Sequence, residues 1–246
     1  MKKTVLITGA SRGIGKATAI EFAKHGYNIV INYVSDDAAA ESLKSYLVEN
    51  FDTDVMLAKA DVSDEKQVKE MVENAIKRFG NINVLINNAG IAIDTTFEDK
   101  TVENFRRTLD VNTIGPFLIS REVGKYMLEQ KKGSIINITS TNGMETYYEY
   151  SLDYDASKAA LISLTHNLCE IFAPYIRVNA LAPGWVNTEM NKELDEEYVK
   201  EECKNIYEGR FAEPEEIAKV IVFLASDDAS YINNEVIRVD GGNRHA

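Results

Sequence analysis

Seven short runs rich in β-branched residues alternate along this sequence with longer segments whose apolar residues recur every three or four positions. The runs are Thr4–Thr8, Ile29–Tyr33, Val55–Ala60, Val84–Asn87, Ser134–Thr139, Ile176–Ala180 and Glu235–Val239. Between the third and fourth, Val68, Met71, Val72, Ala75, Ile76 and Phe79 share one face of a helix. Near the end, Pro214 opens a segment that puts Ile217, Val220, Ile221 and Leu224 on one face. Strand followed by helix, repeated, predicts an α/β fold: a doubly wound sheet of seven mainly parallel strands with helices on both faces. No linker, repeat or composition shift divides the chain, so residues 1–246 are expected to form a single domain.

Charge excludes some functions. The chain has 27 Lys and Arg against 39 Asp and Glu, a net charge of −12. Nucleic acid and anionic membranes need clustered cations, so neither is an expected partner. Cys169 and Cys203 form no CxxC pair, and His25, His166 and His245 are scattered; no metal site or disulfide framework is expected. The apolar run Val5–Ile7 behind Lys2 and Lys3 is too brief for a signal-peptide core. No apolar stretch approaches the roughly 18 residues of a membrane span, and a soluble cytoplasmic protein is expected. The acidic stretch Glu189–Glu202 reads as a helix, with either a solvated face or a mobile lid over a site.

The first strand runs into Thr8-Gly9-Ala10-Ser11-Arg12-Gly13-Ile14-Gly15, followed by a helical pattern from Ile14 to His25. Gly9 permits a tight turn, Gly13 lets a pyrophosphate approach the backbone, and Gly15 lets helix and strand pack closely. The helix N-terminus supplies amides for an anion without bulk positive charge. A nicotinamide cofactor with free ribose hydroxyls is held by an acidic residue at the end of the second strand. That end reads Ile31-Asn32-Tyr33-Val34-Ser35, with Asp36 and Asp37 just beyond. Arg12 is positioned to meet a 2′-phosphate, or is an ordinary surface arginine; NADP is favoured over NAD. Further on, Tyr154 and Lys158 stand four apart at the start of an apolar-faced helix, so both project from one side. A close ammonium favours phenolate and brings a phenol towards the range useful for proton transfer.

With these motifs the sequence resembles the short-chain dehydrogenase/reductase family over Thr4 to Gly242. The resemblance rests on the Thr8–Gly15 turn, Asp61-Val62, Asn87-Asn88-Ala89-Gly90, Asn112, Ser140, Tyr154 with Lys158, and Pro183-Gly184 with Thr188, in that order. It implies a Rossmann-type fold and NADPH-dependent reduction or oxidation at a carbonyl or hydroxyl group. Tyr154 would be the general acid, Lys158 would lower its pKa and hold the nicotinamide ribose, and Ser140 would bind the substrate oxygen. Asn112 would order a water that relays protons. Gly9, Ser11, Arg12, Gly13, Ile14 and Gly15 would form the phosphate turn, and Asp61 and Val62 would flank the adenine. Asn88 and Gly90 would line the groove. At the nicotinamide end, Pro183 and Gly184 would lead to the Val186 backbone, which binds the carboxamide, and to Thr188, which binds a phosphate.

Within the family the chain is most similar to 3-oxoacyl-carrier-protein reductases, which implies a carrier-bound acyl substrate in fatty acid synthesis. The alternatives are another small carbonyl or hydroxy compound and, more distantly, a non-catalytic nucleotide sensor. Lys131 and Lys132 match one half of the family's basic docking surface, and Tyr175 replaces the other. Arg106, Arg107, Lys125, Lys131 and Lys132 are candidates for a basic patch. The segment Met144–Asp153 is unusually aromatic and acidic, and reads either as a packed loop or as a pocket for a small polar or ring-bearing compound. The family also implies a homotetramer, with Phe117, Leu118, Leu164 and Leu168 as candidates either for apolar interface surface or for core.

Overall fold

The computed structural model describes residues 2–145, 147–192 and 194–242; His245 lies outside them. Seven strands, β1 (Thr4–Ile7), β2 (Asn28–Tyr33), β3 (Val55–Lys59), β4 (Val84–Asn87), β5 (Gly133–Ile138), β6 (Ile176–Pro183) and β7 (Val236–Val239), form one sheet in the order β3-β2-β1-β4-β5-β6-β7. Every pairing is parallel. The helices are α1 (Gly13–Lys24), α2 (Asp37–Asn50), α3 (Glu65–Phe79), α4 (Val102–Leu109), α5 (Gly115–Gln130), α6 (Leu152–Phe172), α7 (Glu196–Asn205) and α8 (Pro214–Ala225).

Apolar runs in the strands are continuous because both sheet faces are covered. Val5 and Ile7 point into one layer with Phe22 of α1 and Ile217 and Ile221 of α8, while Leu6 points into the other with Val72 of α3, Val123 of α5 and Phe172 of α6. Alternation along β2 divides Ile29 and Ile31 from Val30 in the same way. Crossovers run outward in opposite directions from β1 and β4, so a crevice opens between their carboxyl ends, where open sheets of this kind bind ligands.

Two expectations about elements are corrected. Strand β6 continues past Ala180 to Pro183, because Ala180 to Pro183 pair with Val236 to Val239 of β7. The Glu189–Glu202 stretch is not one helix: a short 3-10 turn covers Glu189–Asn191, and α7 begins only after Asp195. The Asp195 carboxylate accepts from the amides of Glu197 and Tyr198, a cap that sets the start. Glu193 lies outside the described residues. No helix among the described residues is long and apolar enough to cross a membrane, and none of them forms a His/Cys/Asp/Glu cluster that would hold a metal ion.

Candidate active site

Where β1 meets α1, the turn is locked to the end of β4. Thr8 Oγ1 accepts from the amides of Asn88 and Ala89 at 2.9 Å each, and Asn88 Nδ2 donates to the carbonyls of Thr8 at 2.8 Å and Gly9 at 3.1 Å. Asn88 thus holds the turn rather than presenting its side chain to the crevice. Gly9 has φ 61°, and a Cβ there would sit 2.9 Å from Ala89 Cα. At Gly15 a Cβ would lie 2.5 Å from the Gly9 carbonyl oxygen. Helix α1 has no side-chain cap at Arg12 and no acid in its first turn, whereas side chains cap α2, α3, α4 and α7. Its first amides are free for a phosphate. Ser11 and Ile14 flank this turn half-buried, and Thr188 faces Gly13, its Cγ2 3.4 Å from a Cβ built there.

Both acids beyond β2 are engaged. Asp36 caps α2 through the Ala39 amide at 2.9 Å, and Asp37 takes the Tyr33 hydroxyl at 3.0 Å and Lys59 Nζ at 2.7 Å. Asn32 Nδ2 donates to the Ala58 and Ala60 carbonyls. Arg12 is exposed, with no side-chain partner among the described residues. Asp61 loses solvation, but hydrogen bonds from Ser63 and Arg107 outweigh this and hold its carboxyl below the usual range. Val62, expected beside an adenine, buries its side chain against Gly115, where a Cβ would meet its Cγ2 at 2.8 Å.

The reacting groups expected from the sequence meet beyond β4 and β5. Tyr154 and Lys158 lie in the first two turns of α6, with Lys158 Nζ 5.3 Å from the Tyr154 ring centroid. Lys158 Nζ donates to the Ile138 carbonyl at 2.8 Å. Asn112 sits in a π-helical turn, Asp110–Ile114, between α4 and α5. Its Oδ1 accepts from the Ile91 amide at 2.9 Å, and its Nδ2 donates to the Ile91 carbonyl at 2.9 Å and Ser157 Oγ at 3.0 Å. Gly90 is the joint: a Cβ there would be 3.4 Å from both Asn112 Oδ1 and Lys158 Nζ. Ser140, at the end of β5, caps a 3-10 turn through the Asn142 amide.

Burial dominates the titration of this group. It pushes the Tyr154 phenol up to about 12, partly offset by a hydrogen bond with Ser140 and reinforced by Asp155 and Asp94. It pulls the Lys158 ammonium down to about 8. Both shifts follow from removing a charged form from water, so the lowering of the phenol expected from a neighbouring Lys158 is corrected: burial sets the direction.

Aromatic rings from the Met144–Asp153 segment, the turn after β6 and α7 form a wall. Tyr148 contacts Tyr150, Trp185 and Tyr198 with ring centroids 5.4, 6.5 and 6.3 Å apart, and Trp185 stacks on Phe211 at 5.3 Å. Trp185 Nε1 donates to Glu202 of α7 at 2.9 Å, so one acid of the Glu189–Glu202 stretch faces inward. Asp155 draws the Met144–Asp153 segment onto α6 by accepting from Asn142 Nδ2, the Tyr148 amide and Ser151 Oγ. Thr146 lies outside the described residues. Trp185, Tyr198 and Phe211 escaped the sequence reading, although a lone tryptophan directly after Pro183-Gly184 was a signal. Pro183 ends β6, the Gly184 amide donates to the Val239 carbonyl at 3.1 Å, and the buried Val186 carbonyl accepts from the Thr188 amide and Asn191 Nδ2 at 2.8 Å each.

The fold divides two sets of surface candidates. The five candidate cations do not converge: Lys131 and Lys132 precede the amino end of β5, while Arg106 and Arg107 ride on α4 beyond the carboxyl end of β4. Moreover Arg107 pairs with Asp61, Lys125 with Glu122 and Lys132 with Asp227. Lys131 lies by the Tyr175 ring. Of the proposed interface residues, Leu118 and Leu168 are buried in the core and Leu164 packs against it, because these faces of α5 and α6 cover the sheet. Phe117 remains exposed, as do Ile114 and Ile171.

Comparison with known proteins agrees with this architecture. Residues 9–244 match the family model described as enoyl-(acyl carrier protein) reductase. The chain is 39% identical to a 3-oxoacyl-(acyl-carrier-protein) reductase of Thermotoga maritima, covering 98% of this chain and 97% of the relative. It is 38% identical to the Synechocystis protein of that name, covering 98% and 96%. Among solved structures, levodione reductase superposes with a TM-score of 0.92 at 36% identity, covering 98% of this chain and 96% of that one. A gluconate 5-dehydrogenase from Burkholderia cenocepacia, in complex with NADP and tartrate, gives 0.91 at 32%, covering 98% and 95%. The chain belongs to the short-chain dehydrogenase/reductase family of oxidoreductases, which act on carbonyl and hydroxyl groups.

Proposed function

We propose that this protein moves a hydride between NADP(H) and the carbonyl carbon of its substrate, with Tyr154 exchanging the proton at the substrate oxygen. The observation that carries this reading is the buried Lys158 ammonium 5.3 Å from the Tyr154 ring, with Asn112 and Gly90 closing its other side. When bound, NADPH supplies the hydride. Tyr154, protonated at neutral pH, donates to the oxygen as negative charge develops there, and in the reverse direction its phenolate accepts the proton. Ser140 steadies that oxygen with a second hydrogen bond. Lys158 stabilises the phenolate and holds the nicotinamide ribose, and Asn112 orders a water for the proton relay.

The residues present fit the dinucleotide. The uncapped start of α1 with Gly9, Ser11, Gly13, Ile14 and Gly15 takes the pyrophosphate, and Thr188 faces it across the crevice. The backbone of Asp61 and Val62 borders the adenine, and the Val186 amide, beyond Pro183 and Gly184, meets the carboxamide. Arg12 takes the 2′-phosphate, because Asp36 and Asp37 are committed elsewhere. The NADP-bound neighbour supports the same preference over NAD.

For the substrate, the 3-oxoacyl-(acyl-carrier-protein) reductase relatives support reduction of a carrier-bound 3-oxoacyl group in fatty acid synthesis. The aromatic wall of Tyr148, Trp185 and Tyr198, with the five candidate cations divided along the sheet, favours a second reading, a compact ring-bearing carbonyl compound. NADPH oxidation separates them when a 3-oxoacyl group is offered on carrier protein, on a short thioester mimic, and beside a small cyclic ketone. A preference for the carrier-bound form of roughly tenfold or more in kcat/KM is expected under the first reading. Equal or better use of the cyclic ketone selects the second. A cytoplasmic homotetramer, using exposed Phe117, Ile114 and Ile171, accompanies either reading.

A further inference from the structure

Lys100 and Asp153 form an ion pair unlike any other among the described residues. Their side chains are 4% and 0% exposed, with Lys100 Nζ 2.8 Å from Asp153 Oδ1. The next most enclosed pair, Arg238 with Asp240, leaves 29% of the arginine exposed. The second Asp153 oxygen accepts from Thr108 Oγ1 at 2.7 Å, and Lys100 Nζ also donates to the Ile93 carbonyl. Burying two charges is costly, and well-packed neutral residues are often as stable, so stability alone does not account for the pair. What it adds is direction: a hydrogen-bonded fork allows one arrangement of the segments it joins.

Those segments carry the reacting groups. Asp153 immediately precedes Tyr154 in the first turn of α6. Lys100 ends the loop from β4, and Thr108 closes α4 just before the π-helical turn that holds Asn112. One turn further along α6, Ser157 is tied to the same turn by Asn112 Nδ2 at 3.0 Å and by Thr113 Oγ1 at 3.1 Å. Tyr154 therefore lies between two anchors.

We propose that the Lys100–Asp153–Thr108 cluster is a positioning device that fixes the start of α6, and with it the Tyr154 hydroxyl, against the β4 loop and the Asn112 turn. The role rests on Tyr154 being the proton donor. The test compares the parent with Lys100→Met/Asp153→Asn, with Thr108→Val and with Tyr154→Phe, using acetoacetyl-N-acetylcysteamine and NADPH. The double variant removes both charges of the pair and is expected to keep its melting temperature and NADPH affinity while kcat falls roughly 10- to 100-fold, the loss that a small misplacement of a reacting group causes. Thr108→Val, which removes one hydrogen bond at nearly constant volume, is expected to lower kcat about threefold with KM unchanged.

Parent kcat in both Thr108→Val and the double variant overturns the proposal. So does a joint fall of kcat, NADPH affinity and melting temperature, which marks a merely structural pair. Should the double variant not fold, unchanged kcat in Thr108→Val alone overturns it. Full turnover in Tyr154→Phe instead removes the reading on which the role rests, as does a parent inactive on every carbonyl compound of the substrate comparison above.

Discussion

Tyr154→Phe is expected to lower turnover by roughly a hundred- to ten-thousand-fold, the range that loss of a positioned acid gives. NADPH affinity is expected to stay within about twofold, since the change removes an interaction made with the reacting oxygen. The reason lies in the local geometry. The phenol is half-buried, with Ser140 beside its hydroxyl, and its neighbour Lys158 is enclosed with its ammonium bonded to the Ile138 carbonyl. Removing the hydroxyl alone leaves the ring to pack as before, so the fold persists. Burial keeps the phenol protonated in the absence of cofactor, the state a proton donor needs for reduction. Steady-state kinetics beside a fluorescence titration of NADPH checks both halves; turnover within threefold of the parent would exclude Tyr154 as donor.

Arg12→Ala is expected to weaken NADPH binding by roughly 10- to 100-fold, as loss of a charge-assisted contact to phosphate does. NADH binding is expected to change by less than about twofold, because NADH carries no group for Arg12 to hold. The structure sharpens this expectation. Two carboxylates follow β2, and either one free at the strand end would favour ribose hydroxyls over a phosphate. Neither is free: Asp36 caps α2, and Asp37 is neutralised by Lys59 and bonded to Tyr33. Arg12 has no competing partner among the described residues. Titration of the variant with both cofactors checks the difference; equal losses would refute the assignment of Arg12 to the 2′-phosphate.

Much of this architecture was legible in the residues because the physics is local. The doubly wound sheet follows from strand runs and helical periods that each announce themselves within ten residues or so, and all seven strands lie where the β-branched runs put them, within a few residues at their ends. The order of the glycine turn, Asn112, Ser140, Tyr154 and Lys158 was equally visible. What stayed hidden depends on contacts between distant segments. Asp36 and Asp37 look available in sequence, and only the folded neighbours Ala39 and Lys59 show that they are occupied. Cations that cluster by count are split between opposite ends of the sheet. Leu118 and Leu168 look equally suited to core or interface, and the sheet claims them. The aromatic wall joins the loop after β5, the turn after β6 and α7, three pieces with no shared pattern. Lys100 and Asp153 meet in the same way: neither residue type hints at burial, and the Tyr154 motif gives no sign that its preceding residue is an anchor.

Direct transfer of hydride from NADPH to a substrate carbonyl is the central step of the proposed reaction. It is tested most directly by supplying NADPH deuterated at C4 with each carbonyl compound of the series above and locating the label in the product. Deuterium on the newly formed carbinol carbon is the expected result, with the same labelled product forming roughly a hundred- to ten-thousand-fold more slowly when Tyr154→Phe replaces the parent. Absence of reduced product across the series, or an alcohol without label from either face of C4, would contradict it.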